Sequence, residues 1–141
     1  MEEYNMEKIK EILPHRKPML FVEEIKFIKP DIAEGHYYFQ GNEWFFQGHY
    51  PGKPIVPGII LCEIIAQTSC VLLKEEIKGK IPYLISIDKA KFRKKVEPKS
   101  ECTSVVMRTE MKGPFHYISG KIFVEDKLCA EGTLSFVLRD T

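Results

Sequence analysis

The sequence predicts an α+β fold in which one curved antiparallel sheet wraps around one long central helix. Three observations carry this. The stretch from Gly58 to Leu73 is apolar on nearly every face, interrupted only by Glu63, Gln67, Thr68 and Ser69, and a helix of that composition must be buried nearly all round. From Pro82 almost to its end the chain has the composition of strands, rich in β-branched and aromatic residues. The turns that interrupt those strands are short, so the last three pair antiparallel. A length of 141 residues suits one domain, 1–141, with no repeat, linker or low-complexity run to divide it.

At the amino end, Met6, Ile9, Ile12 and Leu13 fall on one face of a short amphipathic helix that Pro14 stops. Met19 to Ile28 follows, and its second half sets Ile25 and Phe27 against Lys26, as a strand does. Pro30 and Asp31 turn the chain, and Ala33 to Phe39 reads as the hairpin partner. Gly41 to Pro57 is different. Gly48, Pro51, Gly52, Pro54 and Pro57 make it irregular, apart from a turn of helix at Asn42 to Phe46, and a loop this long in a small domain is usually functional. The helix from Gly58 is too short, with a carboxylate too near its middle, to be a good membrane span. Four strands close the chain: Tyr83 to Val96, Cys102 to Met111, Phe115 to Val124 and Leu128 to Leu138, with turns at Lys112–Pro114 and Glu125–Asp126. The whole is an α+β fold of hot-dog type.

Lys plus Arg is 21 and Asp plus Glu is 20, a net charge of +1 that excludes nucleic-acid binding by bulk positive charge. Cys62, Cys70, Cys102 and Cys129 form no Cys-x-x-Cys pair and sit among apolar neighbours. They read as buried, reduced thiols, with no metal site. The charged amino terminus is unlike a signal peptide, and the expectation is a soluble, cytoplasmic protein.

Two groups stand out chemically. His49 lies in Gly48-His-Tyr-Pro-Gly52, where glycine and proline define the backbone. Glu63 lies in the second turn of the greasy helix with no basic residue within a helical turn, so it needs a partner from elsewhere or a raised pKa. A neutral imidazole with a protonated carboxylic acid is a matched base and acid. The plainer alternatives are a loop histidine satisfied by backbone and an acid bonded to Gln67 one turn on; spacing alone leaves both open. Gly58 opens the helix directly after Pro57. Its amide is one of the unpaired amino-terminal donors, reinforced by the helix dipole, and suits a carbonyl oxygen gaining negative charge.

Gly48-His49-Tyr50-Pro51-Gly52-Lys53-Pro54-Ile55-Val56-Pro57-Gly58, followed by Glu63 and Gln67, resembles the (3R)-hydroxyacyl-[acyl-carrier-protein] dehydratases of bacterial type II fatty-acid synthesis. The resemblance extends to Ile12–Arg16, Asn42–Gln47 and Ile87–Phe92, and so over nearly the whole chain. A glutamate at 63 is similar to the general, FabZ-type branch, since the dehydratase-isomerase branch carries Asp there. Departures are mild: Glu23 stands where relatives often have Asp, and Lys99-Ser100 where they have a Gly-Asp turn.

The resemblance implies a hot-dog homodimer, often assembled as a trimer of dimers, in which His49 of one subunit faces Glu63 of the other. It implies a substrate carried on the phosphopantetheine arm of acyl carrier protein, no cofactor, His49 as base, Glu63 as acid, Gly58 holding the thioester carbonyl, Val56 orienting His49 and Gln67 orienting Glu63. Phe45, Phe46, Ile59, Ile60, Ile64 and Phe92 are candidates for an acyl tunnel, although any single one of them is more often a plain core residue. Lys89, Lys91, Arg93, Lys94 and Lys95 form a basic cluster suited to an acidic carrier protein, or to protecting a strand edge. His36 and His116 read as structural, and His15 has no derivable role. The competing functions are a hot-dog thioesterase, a dehydratase-isomerase and a non-catalytic carrier-binding subunit; the paired His49 and Glu63 favour dehydration.

Overall fold

In the computed structural model, which describes residues 2–141, the greasy segment forms helix α2 (Gly58–Leu72), and nearly all of it beyond the first turn is buried. Its polar residues are tolerated inside because each is bonded. Thr68 Oγ1 lies 2.8 Å from the Ile64 carbonyl and 2.7 Å from Ser104 Oγ, and Ser69 Oγ donates to the Ile65 carbonyl at 2.7 Å. Gly120 marks where the sheet touches this helix: a Cβ there would overlap Ile65.

The sheet runs through β1 (Glu2–Tyr4), β2 (Glu24–Lys29), β3 (Ile32–Tyr38), β4 (Lys80–Phe92), β5 (Glu101–Lys112), β6 (Phe115–Val124) and β7 (Lys127–Asp140). Its spatial order is β1-β2-β3-β5-β6-β7-β4, antiparallel throughout. Alternation places Cys102, Ser104 and Val106 of β5 and His116, Ile118, Gly120 and Ile122 of β6 on the buried face against α2. The β6–β7 hairpin turns through Glu125 and Asp126, both at positive φ, and Val124 pairs with Lys127 across it. Such a two-residue turn matches the twist of the strands it joins.

Helix α1 (Met6–Ile12) ends one residue before Leu13, and the Asn5 side chain accepts from the Lys8 amide at its start. The helical turn expected near Asn42 is a 3₁₀ turn at Trp44–Gln47. The strand expected from Met19 begins only at Glu24, since the Met19 carbonyl and Phe21 amide are bonded to the Gln67 side chain instead of to a neighbouring strand. Two other differences from expectation have local causes. β1 is an added strand, held by pairing Glu2, Glu3 and Tyr4 with Phe27, Lys26 and Ile25; its composition carries no strand signal. β4 stops at Phe92 short of Val96, because the Arg93 and Lys94 amides both turn to the Cys129 carbonyl and Val96 gives its carbonyl to Val56. That last bond ties the long loop to the end of β4.

Candidate active site

The loop before α2 is shaped by its backbone. Tyr50 and Gly52 take positive φ, the Lys53 amide donates to the Tyr50 carbonyl at 3.0 Å, and the Val56 amide donates to Val96 at 2.8 Å. Half-buried His49 stands on this frame with Nδ1 3.0 Å from the Ile55 carbonyl and the Tyr50 ring edge-on at 4.7 Å. A carbonyl only accepts, so Nδ1 carries a proton, and in the neutral ring Nε2 holds the lone pair. The orienting carbonyl is thus that of Ile55, which corrects the expectation of Val56. Val56 is turned inward, 4% exposed, with its amide committed to Val96, and in an extended segment the preceding carbonyl faces the other way.

Beside His49, α2 starts with the amides of Gly58 and Ile59 donating to nothing among the described residues, since its first bonds run from Ile60 and Leu61 to Pro57. A cleft of about 390 Å³ opens here, lined by His49, Gly58, Phe92, Arg93, Lys94 and Lys95 among others. Phe92 lies directly on Gly58, where a Cβ would come within 2.8 Å of the ring.

Glu63 belongs to a second cluster outside the lining of that cleft. Its Oε2 accepts from Gln67 Nε2 at 2.9 Å, and His15 Nε2 lies 3.5 Å from the same oxygen. Gln67 is itself pinned by main chain, accepting from the Phe21 amide at 2.8 Å and donating to the Met19 carbonyl at 2.7 Å. The structure therefore brings together His49, Ile55, Gly58 and Phe92 in one place and Glu63, Gln67 and His15 in another. His15, which lies in the Pro14-His15-Arg16 motif and has no role derivable from sequence, is brought by the fold to within 3.5 Å of Glu63.

The tunnel candidates separate. Phe45, Phe46, Ile60 and Ile64 are core residues within the chain, packed against Phe39 and the rest of the apolar cluster. Ile59 and Phe92 are the exposed ones, at 74% and 53%. Arg93, Lys94 and Lys95 stand on the cleft, and Lys89 and Lys91 are exposed along β4. Burial above all pushes the Cys70 and Cys102 thiols up to about 12. Such thiols stay protonated and are poor nucleophiles. Cys62 is only half-buried, unlike the other three, and all four are free.

Among the described residues no three His, Cys, Asp or Glu side chains are grouped to hold a metal ion, and no helix is long and apolar enough to cross a membrane.

A helix jacketed by one antiparallel sheet, with an oriented histidine beside its open amino end, places this protein among the hot-dog enzymes. Solved structures share that architecture: the dehydratase heterocomplex ApeI:P of Xenorhabdus doucetiae has a TM-score of 0.80 at 15% identity, covering 94% of this chain and 91% of that one. A thioesterase from Haemophilus influenzae has a TM-score of 0.74 at 14% identity, covering 97% and 92%. At such identities the likeness is one of fold. Sequence goes further, and the chain belongs to the FabA-like dehydratase family: the FabA-like domain matches residues 13–133. The 3-hydroxyacyl-[acyl-carrier-protein] dehydratase FabZ of Clostridium botulinum strain Okra is 41% identical over 142 residues, covering 98% of this chain and 99% of its own. That of Clostridium kluyveri is 37% identical over 141 residues, covering 98% of each.

Proposed function

We propose that the protein dehydrates (3R)-3-hydroxyacyl thioesters carried on acyl carrier protein to trans-2-enoyl thioesters and water, as a step of type II fatty-acid synthesis. The observation that carries the mechanism is the fixed tautomer of His49, whose Nδ1 proton is committed to Ile55 beside the free Gly58 amide. His49 Nε2 takes the proton from the second carbon of the acyl chain while the Gly58 amide holds the thioester oxygen as it gains negative charge. Glu63 gives its proton to the 3-hydroxyl, the bond from the third carbon to oxygen breaks with its electron pair on oxygen, and water leaves. Electrons from the broken C–H bond form the new double bond. The step is redox-neutral, so it calls for no redox cofactor.

Base and acid of one chain lie in separate clusters, which supports a site shared between two copies. Strand β4 suits that role. Among the described residues it pairs with β7 alone and its other edge is open, and Ile81, Tyr83, Leu84, Ile85 and Ile87 along it are each 38–49% exposed. Pairing β4 with β4 of a second copy would satisfy the open edge, bury those side chains and bring each His49 to the partner's Glu63. Ile59 and Phe92 would then line the acyl path at the interface, and the basic residues on the cleft would meet the acidic carrier. Assembly as a trimer of such dimers and a cytoplasmic location belong to the same proposal, the latter supported by four free thiols.

The test is ultraviolet detection of enoyl-thioester hydration and its reverse on carrier-bound substrate, with free thiol followed in the same samples. Wild type should turn over reversibly without thiol release, and His49→Ala and Glu63→Gln should each lose about 100-fold or more. Release of thiol would identify a thioesterase instead, and carrier binding without turnover a non-catalytic subunit.

A further inference from the structure

We infer that His15 is a positioning residue for the acid, acting with Gln67 to keep the transferable proton of Glu63 on Oε1; this rests on the dehydratase reading above. The argument starts from Gln67, which is 1% exposed and whose amide orientation is dictated by main chain. Its oxygen faces the Phe21 amide and its nitrogen the Met19 carbonyl; a flip would set donor against donor and acceptor against acceptor. Gln67 is therefore a donor to Glu63 Oε2, and a proton on Oε2 could not share that approach.

His15 adds a second constraint on the same oxygen. Its Nε2 lies 3.5 Å from Glu63 Oε2, an ion-pair distance, while its Nδ1 is buried with no partner among the described residues. A proton on Nδ1 would be a buried orphan donor and would leave the Nε2 lone pair facing the lone pairs of Oε2. With the proton on Nε2 it faces an acceptor. Arg16 holds the segment in this pose: one of its guanidinium nitrogens donates to the Leu13 and His15 carbonyls at 2.8 and 2.7 Å, and the other to Lys10 at 3.2 Å. Two N–H groups thus converge on Oε2, and Oε1 takes no hydrogen bond from any described residue.

The consequence falls on the reacting state. When Oε1 passes its proton to the leaving hydroxyl, negative charge grows on the Glu63 carboxylate, and the N–H groups at Oε2 meet it. An interaction that strengthens as charge develops raises kcat and leaves substrate binding nearly unchanged.

The test compares His15→Phe, which keeps bulk and removes the donor, with His15→Gln, whose side-chain amide can reach the place of Nε2. In the dehydratase assay, His15→Phe should lower kcat about tenfold with KM within about twofold, through loss of an N–H approach that tightens onto the carboxylate as its charge grows. His15→Gln should recover most of the loss, and thermal midpoints should match wild type. Two variants both at the wild-type rate would overturn the inference. Equal losses in both, or a raised KM with a lowered midpoint, would also overturn it by showing a merely structural residue. A wild type that forms no enoyl thioester, with Glu63→Gln indistinguishable from it, would instead overturn the dehydratase reading and the role of His15 with it.

Discussion

The sheet ends in two strands built on opposite principles. At one edge β1 is three residues long, and its first two are glutamates. Its charges are tied back into the fold, with Glu2 3.7 Å from Lys74 and Glu3 3.9 Å from Lys26. At the other edge β4 runs for 13 residues and exposes apolar side chains on both sides of its bulge near Ile85. Short, charged edges discourage pairing with other chains, whereas a long apolar edge invites it. Fully burying one such isoleucine or leucine is worth about 1.5–3 kcal/mol, so β4 holds enough apolar surface to drive association and β1 holds almost none. A sheet with one guarded edge and one apolar edge suits the symmetric pairing proposed above.

Making β4 resemble β1 should have the largest effect. Ile85→Lys, placed mid-strand, is expected to shift the protein to monomer in sedimentation and to lower dehydratase activity about 100-fold, because each site would lose either its base or its acid. Retention of both dimer and activity would break the comparison.

Mixed dimers sharpen it further. His49→Ala and Glu63→Gln chains, each nearly inactive alone, are refolded together in equal amounts. Half the dimers are then mixed, with one intact site of two, so activity should return to about a quarter of wild type. No recovery would mean that base and acid act within one chain.

Steric change at the cleft comes next. Gly58→Val would drive a side chain into the Phe92 ring and should cost about tenfold in activity by moving the amide from the thioester oxygen, while the thermal midpoint falls only slightly. The smallest effect belongs to the guarded edge: Glu3→Gln removes one exposed ion pair and should change stability by no more than about 0.5 kcal/mol in urea titration, with no change in assembly.

Much of the architecture was legible because burial leaves a strong pattern. The run from Gly58 announces a helix enclosed on nearly all sides, and the β-branched and aromatic residues between the turns around Gly113 and Glu125 announce a strand from Phe115 to Val124. β1 was invisible, since a three-residue strand with two glutamates is held by its neighbour's backbone and not by its own composition. At the site, His49, Gly58, Glu63 and Gln67 could be singled out from loop chemistry and helix position. Ile55 could not, because which carbonyl meets an imidazole depends on the twist of an extended segment. His15 is 48 residues from Glu63 in the chain, and no local pattern encodes a contact of that kind.

By itself, then, the order of residues determined the fold class and the buried helix and singled out His49 and Glu63 as candidates for a base and an acid, since periodicity and side-chain chemistry are local properties. Only the tertiary structure decided that His49 meets the Ile55 carbonyl, that Glu63 meets Gln67 with His15 3.5 Å away, and that Glu63 does not line the cleft beside His49. Those are matters of distance between segments remote in sequence, and they exist only once the sheet has closed around the helix.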